Sequence, residues 1–167
     1  MDNLKEKMRH ALIRKKAVFI DQFVDNYRRI RKRKTFPHRE VAVIIQLLFP
    51  GASYSGRGAF KTVHKVSTRA KDLVLKTSNR TNIQNDERAY KRIPQNIRNR
   101  YFAKVYWRTK YCLLQKYGRS FNAPPEKLRK LKVIANKYRL TDVRPANVRK
   151  VGTQFKIVDA SLSNRKR

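Results

Sequence analysis

Apolar positions along this chain change their spacing twice, and the changes divide it into segments. Between residues 4 and 30, Leu4, Met8, Leu12, Phe19, Phe23, Tyr27 and Ile30 recur at three or four positions, or at seven where a turn is skipped. That spacing predicts one stripe of an amphipathic helix, or of two helices end to end. Thr35, Phe36 and Pro37 read as a helix start, and residues 40–48 as a buried helix stopped by Pro50 and Gly51. From Ser53 the pattern turns to strands. Leu73, Val74, Leu75 and Lys76 form an apolar strand ending in a lysine, and a helix follows over about 82–92, carrying Ile83, Glu87 and Ala89 or Tyr90 until Pro94 ends it. Two strands, 102–107 and 111–117, meet at a turn around 108–110. Pro124 and Pro125 then open a helix to Tyr138 with Leu128, Leu131 and Ile134 or Ala135 on its buried face. The last stretch is an apolar run that ends at Asp159.

This order of elements predicts an α+β protein in two units, a basic helical extension over 1–50 and a second domain over 51–167. With 167 residues the chain has room for one full domain and a real core, but not for a second large lobe. Cys112 is the single cysteine, which excludes an internal disulfide and fits a buried place in a strand of a protein from a reducing compartment. His10, His38 and His64 are scattered and lack metal-site spacing. Charged residues interrupt the first apolar positions, so no secretory signal is read. The longest apolar run, 41–49, is too short for a bilayer span, which needs about 20 residues. The expectation is a soluble, cytoplasmic protein without a transmembrane segment.

Charge changes the picture. There are 43 Lys and Arg against 11 Asp and Glu, a net +32, which is far beyond what solubility requires and implies a polyanionic partner. Nucleic acid, a ribonucleoprotein and an acidic glycolipid at a membrane surface all fit. Six cations, Arg28, Arg29, Arg31, Lys32, Arg33 and Lys34, crowd seven positions and form the candidate contact. A solvated helix end, favoured by the helix dipole, is the plainer account of the same cluster.

Three groups of residues carry candidate chemistry. Gly56 and Gly58, followed by Phe60 and Val63, place two glycines, an aromatic and a valine on a hairpin, where glycines let backbone lie close to a ligand. Lys76 follows about one hairpin later. Asp142 and Asn147 lie five positions apart, with Arg144 and Pro145 between them, and Asp159 closes the next strand. Beyond Arg88 the chain has only three acidic residues, Glu126, Asp142 and Asp159, so two of the three fall in these groups. Both also suit plainer roles as helix caps or ion-pair partners.

Read in this order over about 53–162, the chain resembles the protein-kinase-like superfamily. Residues 55–63 are similar to its glycine-rich loop, Leu73 to Lys76 to its strand lysine, and Asp142 to Asn147 to its catalytic loop. The segment Ile157 to Ser161 is similar to its metal-binding strand end, most like the RIO, lipopolysaccharide-kinase and aminoglycoside-phosphotransferase branches. The resemblance implies a small β-sheet lobe with one helix, then a truncated helical lobe carrying the catalytic loop. It implies ATP and Mg2+ as cofactors. Gly56, Gly58, Phe60, Val63, Val74, Gln115 and Tyr117 would lie around the nucleotide, and Lys76 held by Glu87 would bind its phosphates. Asp142 would act as base, Arg144 would touch the transferred phosphate, and Asn147 and Asp159 would hold metal. Asp86 is the alternative partner for Lys76.

Departures from the pattern are equally specific. Lys61 stands at the third glycine, Leu140 and Thr141 replace the usual histidine segment, and Ala160 and Ser161 follow Asp159. Eight residues follow Asp159, so the expectation includes no acceptor-docking helices. The competing expectation is a non-catalytic, kinase-like basic protein that binds RNA, a ribonucleoprotein or another polyanion.

Overall fold

A computed structural model of the chain describes residues 2–57, 61–66 and 72–162. It is an α+β fold. Two helices, α1 (Asp2–Arg31) and α2 (His38–Leu48), precede strands β1 (Ser53–Arg57), β2 (Thr62–Lys65) and β3 (Leu73–Thr77). Helices α3 (Arg80–Lys91) and α4 (Gln95–Tyr101) lead to β4 (Val105–Arg108) and β5 (Cys112–Lys116). Then come α5 (Pro125–Lys137), the short β6 (Leu140–Thr141), a hairpin of β7 (Val148–Val151) and β8 (Gln154–Ile157), and β9 (Ser161–Leu162), which pairs with β6. The first five strands make one antiparallel sheet in the order β1-β2-β3-β5-β4.

Every residue of β3 is buried, because this central strand is covered on both faces. Leu73 and Leu75 point outward with Cys112 and Leu114 of β5, and α1 lies over them through Ile13, Ala17, Ile20 and Val24. Val41 and Ile45 of α2 complete this outer core. Lys76, Leu113 and Gln115 point the other way, toward α3 and the β7–β8 hairpin. A second core holds that side together, built from Ala89 and Ile93, Leu131 and Ala135 of α5, and Leu140, Val148 and Ile157.

The stripe expected on α1 is not the one that docks. Leu4, Met8, Leu12, Phe19 and Ile30 are all more than half exposed, whereas Ile13, Ala17, Ile20 and Val24 are buried. The helix is apolar along two lines, and polar staples select between them. Oδ1 of Asp21 accepts from the backbone N–H of Tyr111 at 2.9 Å and from the Thr109 hydroxyl at 3.0 Å, while Oδ2 accepts from the N–H of Lys110 at 2.9 Å. Asp25 accepts from the Tyr111 hydroxyl at 2.7 Å. One helix turn thereby satisfies donors that the β4–β5 turn leaves unpaired, and Ala17, fully buried one turn earlier, lets the helix lie close.

A second difference is α4 (Gln95–Tyr101), for which the sequence pattern predicts no element; the strand expected from residue 102 follows it. Pro94 ends α3 and also stands as the N-cap of α4, so the strand begins only at Val105. Gly152 sits at φ +59 in the tight β7–β8 turn. Gly118 is fixed by crowding: a Cβ there would lie 2.5 Å from the Cβ of Arg149. Its absence lets Arg119 and Lys150 exchange backbone hydrogen bonds, 2.9 and 3.0 Å, which tie the hairpin to the exit of β5. Among the described residues no helix is long and apolar enough to cross a membrane, and Cys112 is free and buried.

Candidate active site

Lys76 leaves the inner face of β3 only 5% exposed. Its Nζ donates to the carbonyl of Val158 at 2.6 Å, which fixes the residue before Asp159 against the sheet. From the other side, Lys61, just before β2, donates to Asp86 Oδ1 at 2.6 Å and to Asp159 Oδ1 at 2.9 Å. Two lysines and two carboxylates thus share one small space.

The catalytic-loop residues lie next to it. Val158 N–H donates to the Asn147 carbonyl at 2.9 Å. Asn147 Nδ2 donates to the Asp142 carbonyl at 2.7 Å and to Asp142 Oδ2 at 3.0 Å. These bonds, with Arg144 N–H on the same carbonyl at 3.1 Å, hold Asp142 at φ +66, a left-handed conformation costing about 1 kcal/mol or more for a non-glycine residue. Arg144 Nε lies 3.1 Å from Asp142 Oδ1, and its charge also reaches Asp159. Asp142 keeps an exposed carboxylate while its backbone is buried in contacts.

Electrostatics separate the two acids that Lys61 bridges. Burial pushes the Asp86 carboxyl up, and the pull of Lys76 and Lys61 does not offset it. Burial is also the largest influence on Asp159, but there Lys76 and Lys61 together outweigh it and hold the carboxyl below its usual range. Lys61 is burdened by burial as well, yet the two carboxylates raise its pKa. Paired groups driven apart in this way are characteristic of sites with assigned acid and base roles, and of structural ion networks as well.

Glu87 requires correction. It does not meet Lys76; its carboxylate is held by Arg108 and by Lys91, and the two together lower its pKa against the upward effect of burial. The residue turned toward Lys76 and Lys61 is Asp86. The reason is helical phase: the buried residues of α3 are Ile83 and Ala89, and Asp86 falls midway between them around the helix while Glu87 is rotated about 100° further, toward β4. Lys61 and Asp86 are therefore the two site residues that sequence reasoning undervalued, one noted only as a departure and the other as an alternative.

The remaining candidates are dispersed. Val74 and Val63 flank Lys76, along β3 and across the β2–β3 ladder, and Gly56 sits at a bulge in β1. Gly58 and Phe60 lie outside the described residues. Gln115 is paired on both sides, to Val74 and Val105. Its side-chain Nε2 donates to Ala103 at 3.4 Å, and its buried Oε1 has no partner. The N–H of Tyr117 already donates to Asp72 at 2.6 Å and that of Lys116 to Lys104 at 2.8 Å, so the backbone donors expected to face a base are engaged. Arg28, Arg29 and Arg31 form the last turn of α1, where Arg28 donates to the Tyr111 hydroxyl at 3.2 Å; Lys32, Arg33 and Lys34 follow, exposed.

Lys76, Asp86, Gln115 and Asp159 line a half-open pocket whose water-accessible space is about 30 Å³. Metal donors stand nearby: Asp159, the Oδ1 end of Asn147 and Asp86, whose buried Oδ2 lacks any partner, are hard oxygen ligands of the kind magnesium takes. Among the described residues, no group of three His, Cys, Asp or Glu side chains gathers as a metal cluster, so any such site rests on two carboxylates and an amide.

No protein-family model matches the chain, and no curated protein is similar enough to be matched to it.

Proposed function

We propose that the protein is a minimal kinase-like phosphotransferase acting with ATP and magnesium. One observation carries the reading: residues spread from Lys61 to Asp159 meet as two lysines and two carboxylates, with Asp142 and Asn147 bonded to each other at their edge. In support, one antiparallel sheet in the order β1-β2-β3-β5-β4 carries α3 and α4 between β3 and β4, where the resemblance implies a small β-sheet lobe with one helix. Asp142 accepts the proton of an acceptor hydroxyl as that oxygen bonds to the transferred phosphorus and the bond to the leaving phosphate oxygen breaks. Lys76 and Lys61 offset phosphate charge, and Arg144 is placed to meet the transferred group. Asp159, Asn147 and Asp86 would hold magnesium, which supplies charge neutralisation on the phosphates.

Thermal melting with and without Mg-ATP tests this. Wild type rises in melting temperature with ligand, by mass action on the folded state, and Lys76→Ala does not. No shift in wild type sinks the proposal.

A second reading is favoured by Lys61 itself. It already puts a cation between the two acids, as suits a kinase-like scaffold that has given up turnover and serves as a basic binder of polyanions. Salt separates the two: a binder contacting Z duplex phosphates loses affinity with a slope near −0.9Z in log–log form, and magnesium-nucleotide binding in a buried site is far less sensitive.

A further inference from the structure

The apolar line of α1 that does not dock against the sheet faces solvent. Leu4, Met8, Leu12, Phe19 and Ile30 are each more than half exposed, and at about 100° per residue they fall within roughly 80° of one another around the helix. Together they make a ridge about 40 Å long at the helical rise per residue. Helix α2 extends it. Tyr27 donates to Glu40 and Lys16 to the Leu48 carbonyl, so α2 lies alongside α1. Val43 and Leu47, three and seven positions after Glu40, share its line on α2 and are also more than half exposed. An apolar surface this long, rimmed by polar residues, marks an interaction site rather than scattered exposure.

Charge around the ridge has one sign. Lys15 stands within it and Lys5 and Arg29 at its edges, all exposed. Glu6, Asp21 and Asp25 fall outside that sector of the helix, and Asp21 and Asp25 are engaged by the β4–β5 turn. Through Ile30 the ridge runs into five exposed cations, Arg29, Arg31, Lys32, Arg33 and Lys34. Among the described residues, no ion pair engages any of the five. Glu40, which feels the charge of Arg33, accepts from the Tyr27 hydroxyl at 2.7 Å.

We propose that α1 lies along the surface of an anionic lipid bilayer, with Leu4, Met8, Leu12 and Phe19 at the acyl boundary and the cations from Arg29 to Lys34 on headgroup phosphates. A basic amphipathic helix binds such a surface by two signals together, apolar insertion and charge, and both are present on this one face. A second copy of the chain would set cations against cations. Nucleic acid offers its bases to rings, not to a line of Leu, Met and Ile. A partner helix beds its apolar face in a groove, whereas this is a ridge, which a broad flat surface covers along its whole length. The face lies on the side of the sheet away from the lysine–carboxylate cluster and does not depend on the phosphotransferase reading.

Flotation of the full-length protein on a density gradient tests this, with vesicles of phosphatidylcholine alone or mixed with phosphatidylglycerol. The protein should rise with the mixed vesicles and stay behind with the neutral ones. Leu12→Gln combined with Phe19→Gln keeps the charge and should lower partition by about tenfold or more, the worth of two half-exposed apolar side chains left in water. Arg33→Gln combined with Lys34→Gln should lower it by about tenfold or more as well. Lys132→Gln with Lys137→Gln, an equal charge change at exposed positions of α5, should stay within about twofold of wild type, since charges away from the bilayer are screened. Leu4→Gln with Met8→Gln serves if the first variant fails to fold by circular dichroism. Failure to float with mixed vesicles, equal flotation with neutral ones, wild-type partition in the apolar variants, or an equal loss in the α5 variant would each overturn the proposal. So would a dimer in sedimentation velocity, or oligouridylate binding, that the apolar variants abolish.

Discussion

The two faces of the five-stranded sheet are built on opposite terms. Outward, α1 and α2 close over Leu73, Leu75, Cys112 and Leu114 with Ile, Val and Ala, and the acids nearby, Asp21 and Asp25, accept hydrogen bonds from the β4–β5 turn. Inward, the same strands present Lys76 and Gln115 to Asp86 and Asp159, leaving Asp86 Oδ2 and Gln115 Oε1 buried without partners beside a left-handed Asp142. Buried polar groups without partners cost about 1–3 kcal/mol each. Such groups also occur outward, at Thr77 Oγ1, Trp107 Nε1 and His64 Nδ1, so what sets the inner face apart is the gathering of Lys61, Lys76, Asp86 and Asp159 in one space, an arrangement that sites and structural ion networks share.

The largest expected effect breaks the inner face alone. Asp159→Asn or Asp142→Asn should lower phosphate transfer at least about 100-fold, as loss of a single electrostatic or proton-transfer group in an active site does, with far-ultraviolet circular dichroism unchanged. Wild-type turnover in either variant removes the mechanism. Ile20→Ala breaks the outer face instead. Ile20 is fully buried, and its truncation should cost about 2–5 kcal/mol in urea unfolding while nucleotide binding of the folded protein is retained. A variant that lost both together would show the two faces to be coupled.

Much of this was legible in the chain. Strand β3, with its lysine, and helix α5 follow from runs of apolar residues and from Pro124 and Pro125, because local pattern and burial agree there. What was not legible depends on rotation or distance. The apolar residues of α1 form two lines, and only the Asp21 and Asp25 bonds to a turn 85 or more positions away show which one docks. On α3, adjacent acids at 86 and 87 look equivalent in sequence, yet about 100° of helical rotation sends one to Lys61 and the other to Arg108. The strand lysine and the loop Asp–Asn pair could be picked out by resemblance; the bridging role of Lys61 could not, since it takes two partners 25 and 98 positions away.

Lys61→Ala sharpens the contrast at smaller magnitude. Removing the bridge leaves Asp86 and Asp159 facing each other without their shared cation. A fully buried pair broken this way costs about 3–5 kcal/mol, but Asp159 is 31% exposed, so about 2 kcal/mol is expected here. If the two acids form a cation site, millimolar magnesium without nucleotide should raise the melting temperature of Lys61→Ala more than that of wild type, in which Lys61 competes for both acids. Equal responses to magnesium in both proteins would contradict a shared site.

The smallest effect tests a buried titratable group of the outer face. His64 of β2 is 1% exposed, lies edge-on to Tyr54, and has a buried Nδ1 without a partner. Burial lowers its pKa below 6.5, so the unfolded chain binds its proton first as pH falls. Its contribution to stability is therefore complete above pH 6.5 and is lost as the pH drops below that value toward the folded pKa. His10, lowered mainly by burial against the opposing pull of Glu6, adds in the same direction. Melting temperatures measured from pH 7.5 down to 5 should decline in wild type and decline less in His64→Gln, with the His10 share remaining. An unchanged slope in His64→Gln would show that the outer face tolerates a charge as readily as the inner one, and the distinction between the two faces would lose its physical basis.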